Sequence, residues 1–296
     1  MLAACTGGEV TAPSDPAGSH DRLSVYVVSY PLQYFAERIG GDRVNVSFPA
    51  REGEDPAYWR PAPEIVAGYQ SADLILLSGA GYAGWIAHAS LPRRSVVDTS
   101  TAFQDRIITV DDAVAHIHGP GGEHAHAGEA FTVWLDPTLA LAQATAVADA
   151  LASRLPAYRG EIDTRLNALA ADLHELDRRL TSIAKRIGDR ALLFSHPVYQ
   201  YLVARYELRG ESLHWEPDEE PSEQMWKDLD ELLAGHHAQW MLWEAEPLVS
   251  TREQLEARGV QVVVFEPCGN RPSHGDFMTV MQRNARALLD AVGQQP

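Results

Sequence analysis

From Leu23 onward, short apolar runs alternate with stretches in which apolar residues recur at helical spacing. Val25-Tyr26-Val27-Val28, Val44-Asn45-Val46, Leu74-Ile75-Leu76-Leu77 and Ser95-Val96-Val97 predict strands, and helices are expected after Pro31, Pro63 and Gly84. The alternation returns in Ala191-Leu192-Leu193-Phe194, Trp240-Met241-Leu242-Trp243 and Val262-Val263-Val264-Phe265, with helices near 198–206, 221–235 and 250–258. Strands separated by helices pair in parallel, because each crossover helix carries the chain back to the starting end of the sheet. The expected fold class is α/β: two lobes, each with a largely parallel sheet flanked by helices.

Between the two units, Ile162, Leu166, Leu169, Leu173, Leu176, Leu180, Ile183 and Ile187 recur at alternating steps of four and three, and Gly188 supplies a stop. At 1.5 Å per residue this predicts a helix of about 40 Å. A coiled coil uses the same kind of seam. Placed between two α/β units and shorter than about four heptads, the seam is better explained as one long spine helix packed across both lobes. The expected organisation is an anchor and tether over 1–22, an N-terminal lobe over 23–155, the spine over 156–188 and a C-terminal lobe over 189–296. A rigid connector of this kind allows less hinge closure than two or three flexible crossovers.

Residues 99–130 break the alternation. His116, His118, His124 and His126 fall within eleven residues, interrupted by Gly119-Pro120-Gly121-Gly122, in a His-rich loop over 112–130. Gly and Pro oppose regular structure there, so a mobile surface loop is expected. Each His-x-His pair would set two imidazoles on one side of an extended backbone. Neutral imidazole suits zinc, nickel or copper, although a solvated polar loop is the plainer alternative.

Charge narrows the function. The 296 residues carry 41 Asp and Glu against 24 Lys and Arg, a net charge of −17. This excludes nucleic acid or anionic lipid as the main partner and favours cations. No run approaches the ~20 apolar residues of a membrane helix. Two cysteines, Cys5 and Cys268, are too few for a disulfide framework and lack the spacing of a structural zinc site. Leu2-Ala3-Ala4-Cys5 resembles a bacterial lipobox, and Thr11 to Asp21 has the Pro, Ser, Ala and Gly content of a tether. Lipidation at Cys5 is therefore expected, with an accidental Ala-rich terminus as the alternative. A Gly-x-Ser-x-Gly elbow, a His-Glu-x-x-His helix and a glycine-rich phosphate loop are all missing, which weighs against an enzyme.

A set of ordered motifs then points to a family. They are Tyr30-Pro31-Leu32 with Ile39-Gly40-Gly41-Asp42-Arg43-Val44; Asp55-Pro56-Ala57-Tyr58-Trp59-Arg60-Pro61; Ala72-Asp73-Leu74 with Gly79-Ala80-Gly81-Tyr82; Val133-Trp134-Leu135-Asp136-Pro137; Phe194-Ser195-His196; Glu220-Pro221-Ser222; and Phe265-Glu266-Pro267. Their order and spacing over about Leu23 to Leu289 resemble the zinc/manganese solute-binding proteins of bacterial ABC transporters. The resemblance implies two α/β lobes joined by one long helix. It also implies a periplasmic, lipid-anchored, monomeric receptor without catalysis. Its cargo would be zinc, with manganese or another divalent metal as the alternative, and its partner a membrane permease.

Members of that family hold metal with three histidines and one carboxylate. Carried over by position, His196 matches one histidine and Glu266 the carboxylate. Ala57 stands where the Asp-Pro-His motif has a second histidine, and Thr132, two residues before Trp134, stands where a third belongs. Alanine offers no donor and threonine only a neutral hydroxyl, whereas zinc takes four N, S or O donors at ~2.0–2.3 Å. Candidates to complete the set are His116, His118, His124 and His126, then His214 and Glu216, then His274 or Cys268; the loop is preferred for number and reach. Trp59, Arg60, Thr132, Trp134 and Trp215 are expected to line the cleft. They serve either as packing residues or as aromatic walls with a guanidinium suited to an organic anion or metal chelate. His174, His236 and His237 are expected at the surface. The alternatives to a metal receptor are a binder of a chelate or organic anion, a chelatase-like enzyme, and an adhesin or scaffold without metal.

Overall fold

The computed structural model describes residues 22–110, 115–117, 123–125 and 128–293. Cys5, the tether, His118 and His126 lie outside the described residues.

In the N-terminal lobe, β1 (Leu23–Val27), β2 (Val44–Ser47), β3 (Leu74–Leu77) and β4 (Val96–Asp98) form a sheet of order β2-β1-β3-β4. In the C-terminal lobe, β9 (Ala191–Phe194), β10 (Arg209–Ser212), β11 (Trp240–Trp243) and β12 (Gln261–Val264) give the order β10-β9-β11-β12. Every pairing in both sheets is parallel. The two lobes thus repeat one topology. Growth of the sheet reverses direction between the first and third strands, and that reversal opens a crevice at their carboxyl ends.

The inner strands are apolar because both faces are covered: Val25, Val27, Leu74, Ile75 and Leu76 are fully buried. β10 was not legible in the hydrophobic pattern. As an edge strand with exposed Arg209, Glu211 and Ser212, it is held by backbone pairing to β9. Gly210 permits that approach, since a Cβ there would lie 2.5 Å from the Leu192 carbonyl oxygen.

Helices α1 (Tyr30–Gly40), α2 (Pro63–Ser71) and α3 (Pro137–Arg154) belong to the first lobe; α5 (Gln200–Tyr206), α6 (Glu223–Gly235), α7 (Val249–Ala257) and α8 (Phe277–Gly293) belong to the second. Asp136 caps α3 by accepting the Thr138 N–H at 2.8 Å, with Pro137 in the first helical position, where no N–H is needed. After Gly84 the chain makes a 3-10 turn, Gly84–His88, instead of the expected α-helix. The His-rich loop also departs from expectation. Its backbone pairs β5 (Thr109–Val110) with β8 (Gly128–Glu129) and β6 (Ala115–Ile117) with β7 (Glu123–Ala125), both antiparallel, with His116 opposite His124. Gly119-Pro120-Gly121-Gly122 lie outside the described residues.

The spine is α4 (Arg159–Ile187), about 43 Å long at 1.5 Å per residue. Ile162, Leu169, Leu173, Leu176, Leu180, Ile183 and Ile187 are buried, and Leu166 is half-buried. This stripe packs on α1 and α3 of the first lobe and on α5 and α8 of the second. One apolar core therefore runs through both lobes. A smaller cluster of Leu193, Trp215, Trp226, Leu229, Met241 and Trp243 fills the opposite face of the second sheet. The helix ends at Gly188, whose φ of +60° suits glycine.

Truncation tests the seam. Leu169→Ala should lower unfolding free energy by about 2–5 kcal/mol, the range for a buried leucine, and Leu166→Ala by clearly less. Urea denaturation followed by far-UV circular dichroism measures both; equal losses would refute the assigned face.

Candidate metal centre

The switch-point crevice of the C-terminal lobe holds a cluster of ligand-type side chains. His196 lies two residues past β9, and pairing with β11 continues almost to it, since the Ser195 N–H donates to the Leu242 carbonyl at 2.8 Å. Glu244 directly follows β11. The third member comes from the chain leaving β10. The Leu213 N–H bonds to the Phe194 carbonyl and the Trp215 N–H to the Ser195 carbonyl, each at 2.8 Å, so this segment stays extended beside β9. Side chains alternate along an extended chain. Leu213 and Trp215 enter the small core with Trp226 and Trp243, which turns His214 and Glu216 toward His196.

One potential ligand atom from each of His196, Glu216 and Glu244 lies within 4.8 Å of the other two. Donors around a tetrahedral zinc with ~2.1 Å bonds are about 3.4 Å apart, so small rotations would close the set. His196 Nδ1 stands 3.4 Å from Glu216 Oε1, and the His196 and His214 rings meet edge-on at 5.8 Å. His196 is buried, while Glu216 and Glu244 are half-buried. Two carboxylates confined beside an imidazole repel each other, and a divalent cation between them offsets that repulsion. Two phenols stand in the field of Glu244. Burial, then Asp55, then Glu244 push Tyr58 above the ordinary tyrosine range. Burial followed by Glu244 does the same to Tyr199, whose hydroxyl donates to the Phe265 carbonyl at 2.8 Å. Both remain protonated at neutral pH.

The other residues singled out from sequence are not members of this three-residue group. Glu266 follows β12, an outer strand, and its carboxylate accepts from Arg283 at 2.6 Å. Asn284 fixes its backbone through bonds to both the N–H and the carbonyl. Thr132 is buried, its hydroxyl donating to the Val198 carbonyl at 2.5 Å. Ala57 is buried, with its N–H on Asp55. Trp134 is a packing residue whose indole donates to the Pro267 carbonyl, and Trp215 belongs to the small core. Cys268 is buried, and burial, reinforced by Glu266, pushes its thiol well up, which leaves it neutral rather than a soft anionic ligand. His174, His237 and His274 are exposed, whereas His236 is half-buried with Nε2 3.0 Å from the Leu192 carbonyl. Trp59 and Arg60 line a cavity of about 700 Å³ in the N-terminal lobe, together with Ala57, Tyr58, Trp85 and His88. His116 and His124 are placed only by their backbone pairing.

Glu216 was a secondary candidate from sequence and Glu244 was missed. A signal existed: each of His196 and Glu244 follows a four-residue apolar strand that lies next to the other in the sheet.

With the geometry established, comparison with known proteins places the chain. It is 24% identical over 309 residues to the high-affinity zinc uptake system protein ZnuA of Bacillus subtilis (strain 168), covering 99% of this chain and 94% of that protein. Its fold matches the metal-dependent lipoprotein YcdH of Bacillus subtilis with a TM-score of 0.77 at 20% identity, over 91% of this chain and 98% of that one. The Zn(II)-bound ZnuA-like domain of Streptococcus pneumoniae AdcA matches equally, at 0.77 and 20%, over 92% of this chain and all of that domain. Residues 25–291 match the family profile, and the chain belongs to the ZnuA family, described as the periplasmic zinc-uptake complex component A.

Proposed function

We propose that this protein is an extracytoplasmic receptor that captures zinc with His196, Glu216 and Glu244 and passes it to an ABC-type membrane permease. The convergence of these three side chains at a switch point carries the reading. One imidazole nitrogen and two carboxylate oxygens satisfy zinc, and the oxygen-rich set also accepts manganese. Family membership supports the import role. The work is binding rather than catalysis. Three protein donors leave at least one coordination position open.

The remaining expectations fit around this centre. Glu266, balanced by Arg283, serves beside the site. The loop histidines His116, His118, His124 and His126 gather ions ahead of the cleft. Lipidation at Cys5 would hold the receptor near its permease, with 11–21 as the tether.

Titration calorimetry with zinc tests the assignment. Glu216→Gln and Glu244→Gln should each lower affinity by about ten-fold or more, as expected for loss of a charged ligand, while Glu266→Gln stays within about three-fold. Loss at Glu266 with none at Glu216 would move the site to the outer strand. Deleting 116–126 should lower stoichiometry while the tightest site survives; a loss of that tightest affinity would bring the loop into the centre.

Acid should release the metal, because imidazole ligates only when neutral and protons compete for it below neutrality. Between about pH 7 and pH 5, log affinity should fall with a limiting slope near one for His196 alone. A slope near two would bring in a second histidine, and a flat profile would remove His196 from coordination.

A further inference from the structure

We propose that the cavity of about 700 Å³ in the N-terminal lobe is a binding site of its own, independent of metal, and that it takes a planar aromatic carboxylate. Its lining includes none of His196, Glu216 and Glu244, so the site goes beyond the zinc reading and does not rest on it. The volume falls within the ~300–1,000 Å³ typical of small-molecule sites.

The walls are held in place by the fold. One is the chain from Tyr58 to Arg60 that leads into α2, and the other is the 3-10 turn Gly84–His88. The Gly84 N–H donates to the Ala57 carbonyl at 3.4 Å and joins the two. Gln70 of α2 donates to the Ser90 carbonyl at 3.1 Å, which ties the chain leaving the turn to the helix. Residues three apart in a 3-10 turn share a face, and Trp85 and His88 accordingly both reach the lining. Buried Tyr69 meets the Trp85 ring edge-on at 5.0 Å and is itself fixed, its hydroxyl donating to the Val27 carbonyl at 2.8 Å. The indole is therefore braced before any ligand arrives.

The lining selects by ring and by charge. Tyr58, Trp59 and Trp85 are only half-buried, which leaves aromatic surface open to a stacked planar ring. Aromatic faces alone would also attract an organic cation. Arg60 decides between the two: it is exposed on the lining, makes no ion pair among the described residues, and carries a planar fork that matches a carboxylate with two parallel hydrogen bonds. His88 adds a ring N–H. No Asp or Glu lines the cavity, although the chain carries 41 acidic residues against 24 Lys and Arg. The cavity thus opposes the charge of the molecule that surrounds it.

The probe is 2-naphthoate, with 2-naphthamide as the uncharged control of the same shape. In ligand-observed NMR titrations with the full chain, 2-naphthoate should bind saturably and with the same affinity whether the protein is zinc-loaded or stripped with EDTA. The amide should bind about ten-fold more weakly, as expected when a charge-assisted hydrogen bond is lost. Arg60→Ala should weaken the acid about ten-fold and leave the amide within about two-fold. Trp85→Ala should weaken both, with Trp59→Ala as the second stacking variant should Trp85→Ala lose its native circular dichroism. Arg286→Ala, exposed on α8, should change neither. The proposal is overturned if 2-naphthoate does not bind, if acid and amide bind alike, if Arg60→Ala spares the acid, or if binding requires zinc. Zinc affinity, measured by calorimetry on Arg60→Ala, should stay unchanged, so each of these failures leaves the metal reading standing.

Discussion

The architecture depends on burying one apolar stripe of α4 against helices of both lobes. A helix of 29 residues cannot gain this burial from one lobe alone, so its stripe is divided between α1 and α3 on one side and α5 and α8 on the other. The lobes thereby share a core, and their separation is set by close packing rather than by a flexible connection. Polar contacts then lock the cleft: Tyr30 N–H to the Gly269 carbonyl at 3.0 Å, Trp134 to the Pro267 carbonyl at 2.8 Å, and Tyr201 to the Ala130 carbonyl at 2.9 Å. The Arg38–Asp172 ion pair ties α1 directly to the spine.

The cluster of His196, Glu216 and Glu244 is built entirely on one side of the cleft. Where ligands come from both lobes, binding and closure are coupled, because coordination is incomplete until the lobes meet. Here His196, Glu216 and Glu244 sit on adjoining strand ends of one sheet, so their spacing does not depend on lobe motion. The N-terminal lobe contributes surroundings instead: the Tyr58 phenol, and an aromatic run in which Phe131 contacts Tyr58 and Tyr82, and Tyr82 contacts Trp134.

Burial explains what the sequence could reveal. The strands β1, β3, β9 and β11 and the spine were legible because both faces, or one regular stripe, must be apolar. β10 was not, because an exposed edge strand needs backbone pairing more than hydrophobic side chains. The site was half legible. His196 stood out through its motif, and Glu216 only as a secondary candidate beside His214. Glu244 carries no local pattern, since one carboxylate after a strand becomes significant only once the strand order is known. Glu266 stood out through its motif as well, while the Arg283 that pairs with it, 17 residues further along on α8, is announced by no local spacing.

The repeated topology also sets the two lobes apart chemically, because the cluster of His196, Glu216 and Glu244 lies in the second. Both sheets have the same strand order, so the first lobe has an equivalent crevice. Two residues past β1 and one residue past β3, the positions matching His196 and Glu244, stand Ser29 and Ser78. Their hydroxyls bond each other at 2.9 Å, and Gln143 of α3 seals the space by donating to the Ser78 carbonyl and the Thr99 hydroxyl, each at 3.0 Å. All four residues are fully buried. Neutral hydroxyls can close such a crevice because they satisfy one another at little desolvation cost. Two carboxylates and an imidazole carry a higher desolvation cost on burial than neutral hydroxyls. The same backbone thus yields a sealed joint in one lobe and a cleft with one imidazole and two carboxylates in the other, according to what stands one or two residues past the end of a strand.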